Sequence, residues 1–243
     1  GKKSVSFVDG QFVGYESGFY TAKDNDLSML VALPYLLLDG INEDGFAISV
    51  LKLDGNHTWQ KDPDKKNIFT TVAMRMLLDR ASTVKQATKM LEEYNMIMDE
   101  FKASYHFMMA DATGDYAIVE YTNPVVADEV YPDSMEVLTG HDTLRYVTNF
   151  YVSPTMKHTK HGSIISDHGK NRYDTLRTVL RTLNYNTTFE QGMEALTKVA
   201  QGPESTLSTG FTQWSEIYNL TKRRVTMSIL REWDKRFEFG IEQ

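Results

Sequence analysis

The sequence predicts an α+β fold, a four-layer αββα sandwich in which two antiparallel sheets pack face to face between two layers of helices. Three observations lead there. Segments of alternating hydrophobicity and segments of helical period follow one another as strands, helix pair, strands, helix pair, strands. The strands cluster around short turns, which joins them antiparallel. The helices come in pairs, and a pair buries its apolar stripes best on the outside of a sheet.

Each element has its own warrant. Residues 5–20 are aromatic and glycine-rich and read as strand–turn–strand. An apolar segment spans 28–38. A dense turn signal, Asp39-Gly40-Ile41-Asn42-Glu43-Asp44-Gly45, leads into a strand within 45–53. The period then lengthens: Phe69 to Arg80 carries Val72, Met76 and Leu77 at helical spacing. Thr83 followed by Gln86 is a capping-box signature opening a second helix, with Val84, Ala87, Leu91 and Tyr94 on one stripe. These two read as an antiparallel helix pair. Strands return at Tyr105–Met109 and Ala117–Tyr121 around the turn Asp111–Asp115. Val137 and Arg145–Asn149 suggest further short strands. The polar residues 153–170 read as a loop, and a helix is expected from about Arg172 to Leu183. Thr187 and Glu190 read as the cap of a last helix carrying Met193, Leu196 and Val199. Residues 205–230 read as a long hairpin turning at Asn219–Lys222. No repeat or low-complexity linker divides the chain, so residues 1–243 read as a single domain.

Composition narrows the function. With 41% apolar and 12% aromatic residues the chain is ordinary globular protein, which excludes disordered, collagenous and coiled-coil classes. The net charge of −7 argues against a nucleic-acid or anionic-membrane partner, because phosphates need a basic footprint. The longest apolar run, Met29 to Leu38, is too short for a bilayer and contains Pro34. No signal peptide is visible, and the start at Gly1 reads as trimmed. The cellular location is not legible. The sequence holds no cysteine, which removes disulfides, thiolate metal sites and a cysteine nucleophile within this chain. His158, His161, Asp167 and His168 are metal-type side chains, and His-x-x-His can set two imidazoles on one helical face. Lys157, Lys160 and Lys170 oppose a cation there, so no metal and no cofactor are expected.

The stretch from Asp39-Gly40-Ile41-Asn42-Glu43-Asp44-Gly45 through Val50 resembles a characteristic segment of the choloylglycine hydrolase and penicillin V acylase family. The acyl-CoA:6-aminopenicillanate acyltransferase-like amidases share that segment, which reads roughly D-G-[MIV]-N-E-K-G-L-A-V. Further pieces follow in the family's order: Asp111–Asp115 before Ala117–Glu120, then Val147-Thr148-Asn149-Phe150, then Asn171-Arg172-Tyr173 with its helix, and last Trp214–Tyr218 with a closing strand. The ordered set covers roughly residues 5–230. The resemblance implies the N-terminal-nucleophile (Ntn) hydrolase fold, which agrees with the element order, here with the N-terminal strands missing. It implies hydrolysis of, or acyl transfer from, linear amide C–N bonds of small N-acylated substrates. The family's nucleophile is a cysteine at the mature N-terminus whose own α-amino group is the base. Such an amine titrates near about 7.7–8.0 and is partly neutral at physiological pH. A cation nearby drives a thiol toward thiolate, and two-step acyl transfer lowers each barrier.

Carried over residue by residue, Asn149 matches the family asparagine whose side-chain N–H helps hold the tetrahedral oxyanion; losing one such donor typically slows a reaction on the order of 100–1000-fold. Arg172 matches the family arginine near the nucleophile. Lys52 falls where relatives carry asparagine or tyrosine beside the oxyanion site; it is the candidate substrate-binding residue and a departure from the bile-salt and penicillin V patterns. Read without the resemblance, Asn149 is a turn or strand-end asparagine, Arg172 a first-turn helix residue and Lys52 a solvent-facing lysine. Asp39 and Asn42 read as turn formers. Only 22 residues lie between Asn149 and Arg172, too few for the projecting hairpin that bile-salt-hydrolase-like members use in assembly, which leans toward the acyltransferase-like branch. The family's cysteine, and the arginine and aspartate close behind it, have no counterpart. The chain therefore reads as the body of such an enzyme without its first strands, and it is expected not to hydrolyse amides alone. The alternative is a non-catalytic member that binds acylated small molecules in the same cleft. Missing strands would leave an open sheet edge, so assembly into a homo-oligomer is a further expectation.

Overall fold

A computed structural model describes residues 5–8, 11–14, 37–53, 58–98, 104–123, 125–126, 129–130, 133–140, 145–156, 167–202 and 211–241. The chain forms two compact units, Gly1–Leu37 and Leu38–Gln243. In the first, β1 (Val5–Val8) and β2 (Gln11–Gly14) pair antiparallel as a hairpin, which matches the strand–turn–strand expected near the start. The rest of that expectation, and most of the apolar segment 28–38, lie outside the described residues.

The second unit is built in chain order from β3 (Asp39–Ile41), β4 (Ala47–Leu53), β5 (Lys66–Phe69), α1 (Thr70–Arg80), α2 (Val84–Leu91) and β6 (Tyr94–Ile97). It continues with β7 (Ser104–Ala110), β8 (Tyr116–Thr122), β9 (Val125–Val126), β10 (Glu129–Val130) and β11 (Ser134–Leu138). It closes with α3 (Asp167–Thr182), α4 (Phe189–Val199), β12 (Trp214–Asn219), β13 (Arg224–Ile229) and β14 (Phe237–Gly240). A five-stranded sheet has the order β11-β8-β7-β4-β3 and a three-stranded sheet the order β12-β13-β14, both antiparallel throughout. Helices α1 and α2 cover the first sheet and α4 rests on β12. This is the α+β sandwich that the element order predicts.

The core follows from strand alternation. On the helix-covered face of the large sheet Ile48, Phe107, Met109, Val119 and Tyr121 are all buried, over Met74, Leu77 and Leu91 of the helices. Gly40 of β3 lies under Leu78 of α1, which identifies this face. In the small sheet, Gly192 of α4 allows close approach to β12, because an added Cβ would stand 3.1 Å from Ile217 Cδ1.

Several boundaries differ from the sequence reading, each for a physical reason. The turn signal at 39–45 is used only from Asn42 onward; Asp39–Ile41 pairs with Ala47–Ser49 as a strand. Gly45 takes φ +81°, and a Cβ there would meet the Leu220 carbonyl oxygen. Tyr94 leaves the α2 stripe because Tyr94–Ile97 pairs parallel with Lys66–Phe69, an unanticipated strand pair. Thr83 caps α2 as expected, accepting from Gln86 N at 3.2 Å, but the Gln86 side chain returns to Ser82 N. The α4 capping box uses Thr188 and Gln191, one residue past the expected pair. Helix α3 begins at Asp167, ahead of Arg172, so the tail of the expected loop is helical. Residues 145–149 form no strand. The hairpin expected over 205–230 is present as β12 and β13, its first part lies outside the described residues, and β14 adds a third strand.

Asn42 holds the start of the large sheet together. Its Nδ2 donates to the Leu78 and Ala81 carbonyls at 3.0 and 2.7 Å, where α1 leaves carbonyls unpaired. Its Oδ1 accepts from Asp44 N and Phe46 N at 3.1 and 3.0 Å, closing the turn. It is a turn former, as expected, and also a helix-end cap. Replacing Asn42 by Ala strands buried carbonyls and N–H groups and is expected to destabilise the fold by about 2–4 kcal/mol. Urea unfolding checks this; a loss below about 0.5 kcal/mol would contradict the account.

Candidate active site

The site assembles where a loop, a strand and a helix meet. Residues 145–153 run without a strand ladder, and Phe150 N donates to Thr148 O at 3.0 Å, a tight turn centred on Asn149. Thr148 Oγ1 donates to the Gly169 carbonyl in the first turn of α3 at 2.8 Å. The Tyr173 ring of α3 packs against Tyr146 and Phe150, with centroids 4.7 and 5.1 Å away. These contacts flank Asn149 on both sides and set the neighbouring helix residue, Arg172, beside it.

All three site residues expected from the sequence meet here. Arg172 Nη2 donates to Asn149 Oδ1 at 2.6 Å, and Asn149 Nδ2 donates to the Lys52 carbonyl at 2.8 Å. The chemistry fixes the orientation of the amide: a guanidinium only donates and a carbonyl only accepts, so the amide oxygen faces Arg172 and the nitrogen faces Lys52. Val50 N bonds to Leu38 O on the β3 side of β4. Alternation turns the Lys52 carbonyl to the same side, so Asn149 takes there the place of a neighbouring strand's N–H. What Lys52 brings to the cluster is this main-chain carbonyl; the residue itself is exposed.

Arg172 is embedded. Burial pulls its pKa below the usual guanidinium value, and its Nε is buried with no hydrogen-bond partner among the described residues. Arginine stays cationic in proteins, so the buried N–H invites an anionic or strongly accepting atom. It sits inside α3 rather than at its start, so the unfavourable pairing of a cation with a helix N-terminus does not arise.

Two clusters lie outside the sequence-based candidates. On the face of the large sheet away from α1, His106 and Glu120 are fully buried, with Nδ1 and Oε1 3.0 Å apart. Glu120 also accepts from Val152 N and Ser153 N, both at 2.9 Å. A carboxylate in the middle of the apolar run Ala117–Tyr121 was the available signal. The second cluster links the two sheets. Tyr218 Oη lies 3.0 Å from Asp39 Oδ1 and in hydrogen-bond contact with Glu216, and Trp214 Nε1 donates to Asp39 Oδ2 at 3.3 Å. Asp39 therefore ties β3 to β12 instead of forming the turn.

A cleft of about 980 Å³ lined by Leu196, Ile217 and Thr226 is a seam between α4 and the small sheet, and none of the three site residues lines it. A cleft of about 230 Å³ opens between the sheets beside Ser49, Met108 and Tyr218. Among the described residues no group of three or more metal-type side chains converges, and no helix is long and apolar enough to cross a membrane. His158 and His161 lie outside the described residues, as do the side chains of Asp167 and His168.

Residues 22–182 match the model of the linear amide C–N hydrolases, choloylglycine hydrolase family. The chain belongs to the choloylglycine hydrolase family. A relative, penicillin V acylase of Pectobacterium atrosepticum, is 33% identical over 92 residues, covering 34% of this chain and 24% of that enzyme, so the match spans about a quarter of the relative's length. Among solved structures, a variant of conjugated bile acid hydrolase from Clostridium perfringens superposes with a TM-score of 0.62 at 15% identity, over 85% of this chain and 73% of that one. Penicillin V acylase from Agrobacterium tumefaciens superposes with a TM-score of 0.56 at 17% identity, over 93% of this chain and 71% of that one. At such identities the superpositions show the shared Ntn-hydrolase fold, and the family assignment rests on the sequence match.

The inter-sheet cluster of this family member carries a pH signature. A phenol has one proton and cannot donate to two carboxylates. Whichever carboxylate Tyr218 donates to, the other completes the chain only by carrying a proton of its own, and the upward pull on Glu216 marks it as the holder of that proton. Burial first, and then the charge of Asp39, raise the Glu216 pKa above its ordinary 4.5, against a lowering contribution from the Tyr218 bond. Below 4.5 both folded and unfolded chains hold the proton. As pH climbs from there through the raised folded value, the folded chain keeps a proton that the unfolded chain has lost, so stability falls. Glu216→Gln keeps a donor and removes the ionisation. Its unfolding midpoints from about pH 4 to 8 are expected to decline less than those of the parent chain; parallel profiles would refute the proton assignment.

Proposed function

We propose that this chain carries the carbonyl-binding half of a linear amide C–N hydrolase acting on small N-acylated substrates. The carrying observation is the doubly held carboxamide of Asn149, fixed at its oxygen by Arg172 and at its nitrogen by Lys52 O. An amide nitrogen has two N–H bonds. The Lys52 carbonyl takes one, and the second is the donor for the substrate's carbonyl oxygen. That bond shortens as the oxygen gains charge in the tetrahedral intermediate, which lowers the barrier selectively. Because both ends of the amide are already held, no reorientation is needed when charge develops.

Arg172 has two tasks in this reading. Its bond to Oδ1 polarises the amide and makes the remaining N–H a better donor. Its partnerless Nε offers a buried positive charge to an anion at the reacting carbon, either the attacking thiolate or the carboxylate released afterwards. A cysteine nucleophile has to come from outside these 243 residues, which contain none. Its thiolate would add to the carbonyl carbon, and the α-amino group would pass the thiol proton to the leaving amine. Hydrolysis or acyl transfer then depends on whether water or a second amine meets the acyl-enzyme.

The absence of cysteine favours one second reading, a member that binds N-acylated molecules in the same place without cleaving them. Penicillin V and a glycine-conjugated bile acid are the probes to use, since relatives carry those names. The chain as given is expected to bind one of them without releasing amine. Turnover is expected once a polypeptide bearing the N-terminal cysteine completes the site, and Asn149→Ala should then lower kcat on the order of 100–1000-fold. Amine release by the chain alone that survives both Asn149→Ala and Arg172→Lys would sink the proposal. Tight binding with no turnover in the completed protein would favour the binder.

A further inference from the structure

The loop carrying Asn149 meets the sheet through single contacts rather than a strand ladder, at the Asn149 side chain and at a β-bridge through Tyr151. Thr148 secures its entry, through the bond to Gly169 O at 2.8 Å. Its exit is held by Glu120: the two oxygens of one fully buried carboxylate accept from consecutive peptide N–H groups, Val152 and Ser153. His106, its cross-strand neighbour, completes the arrangement. A carboxylate has only acceptors to offer, so the His106 proton in the 3.0 Å contact resides on Nδ1. Glu120 thus meets three donors from two directions, one from the sheet and two from the loop. The geometry is that of a clamp whose jaws close three and four residues beyond Asn149.

We propose that Glu120, oriented by His106, is the positioning residue of the site: it holds the loop so that the Asn149 carboxamide faces the acyl carbonyl. The inference rests on the role proposed above for Asn149 and adds a residue to it. Neither Glu120 nor His106 touches the substrate in this scheme. A buried pair with a purely structural role would lower stability when broken but would leave the Asn149 amide where it is. A positioning pair acts through Asn149, so its loss has to be visible at that amide.

Glu120→Gln is the test variant. It keeps the shape, but only one of its two terminal atoms can accept, so one of the two loop N–H groups then faces an NH2 group. The first measurement reads the side-chain NH2 signals of Asn149 in 1H–15N spectra of the full chain, assigned by their loss in Asn149→Ala. In Glu120→Gln these signals are expected to shift toward solvent-exposed values while backbone signals from β12 and β13 stay in place. The second measures binding of penicillin V and of a glycine-conjugated bile acid to the parent chain, Glu120→Gln, Asn149→Ala and the double variant. Each single change is expected to weaken binding on the order of tenfold, and the double variant to be no weaker than Asn149→Ala. Unmoved Asn149 signals in a folded Glu120→Gln chain, or losses that multiply in the double variant, would overturn the proposal. Where Glu120→Gln does not fold, Glu120→Asp, which keeps the charge but withdraws it by one methylene, takes its place. If the parent chain binds neither probe, the reading of the substrate fails, and the Asn149 signals alone decide the positioning role.

Discussion

A primary carboxamide can stand in for a peptide unit, with one oxygen to accept and one nitrogen to donate, and this chain relies on that substitution at three places where its backbone departs from regular pairing. Asn149 fills a position on the edge of β4 that a strand's N–H would take, and in doing so anchors the loop to the sheet. Asn42 joins the end of α1 to the turn before β4. Asn95, almost fully buried, donates to the Asp62 and Lys65 carbonyls and accepts from Asp62 N, which secures the segment leading into β5. Buried peptide groups without partners are expensive, so each irregular stretch needs such a surrogate close by. Asn149 differs from the other two in having a cation on its oxygen.

Under the proposed function, that difference turns a structural device into a site. Where all donors and acceptors of an amide are taken by neutral backbone, it is inert. Where its oxygen is held by a half-buried guanidinium and its nitrogen keeps a hydrogen to give, it is a fixed dipole aimed at whatever oxygen comes next. The aromatic packing of Tyr173 against Tyr146 and Phe150 supplies rigidity from the helix side. Apolar packing and polar anchoring thus act on the same few residues, and precision in the site depends on both.

The large sheet separates these duties by face. Under the helices it is lined by Ile48, Phe107, Met109, Val119 and Tyr121. The opposite face, by strand alternation, carries Ser104, His106, Glu120 and Thr122, all buried and all polar. One face supplies hydrophobic stability. The other mixes the buried apolar Leu53 and Ile118 with these hydrogen-bonding groups, and the latter hold an irregular loop. The Asp39–Tyr218–Glu216 chain extends the same principle across the sandwich, joining the edge of one sheet to the other with shared protons rather than apolar contact.

The order and type of most elements were legible in the amino-acid pattern, because hydrophobic period, caps and turn residues are local signals. The hairpin around Asp111–Gly114 shows this: Asp111 accepts from Thr113 N, Gly114 takes φ +93°, and the flanking strands fall within a residue or two of their expected limits. The ordered motifs also singled out Asn149, Arg172 and Lys52, which the fold brings together. What depends on nonlocal partners became visible in the folded chain. Tyr94 is a strand residue because β5 lies parallel to it, although its spacing from Leu91 suits a helix equally well. Residues 145–149 alternate like a strand yet form a loop, because Gly169, Arg172 and Tyr173 of α3 meet the side chains of Thr148, Asn149 and Tyr146. Glu120 stood in plain sight as a carboxylate in an apolar run, but the peptide groups it holds lie 32 and 33 residues further along the chain. Local pattern encodes which elements form; which buried polar group answers which depends on distances that exist only once the chain has closed.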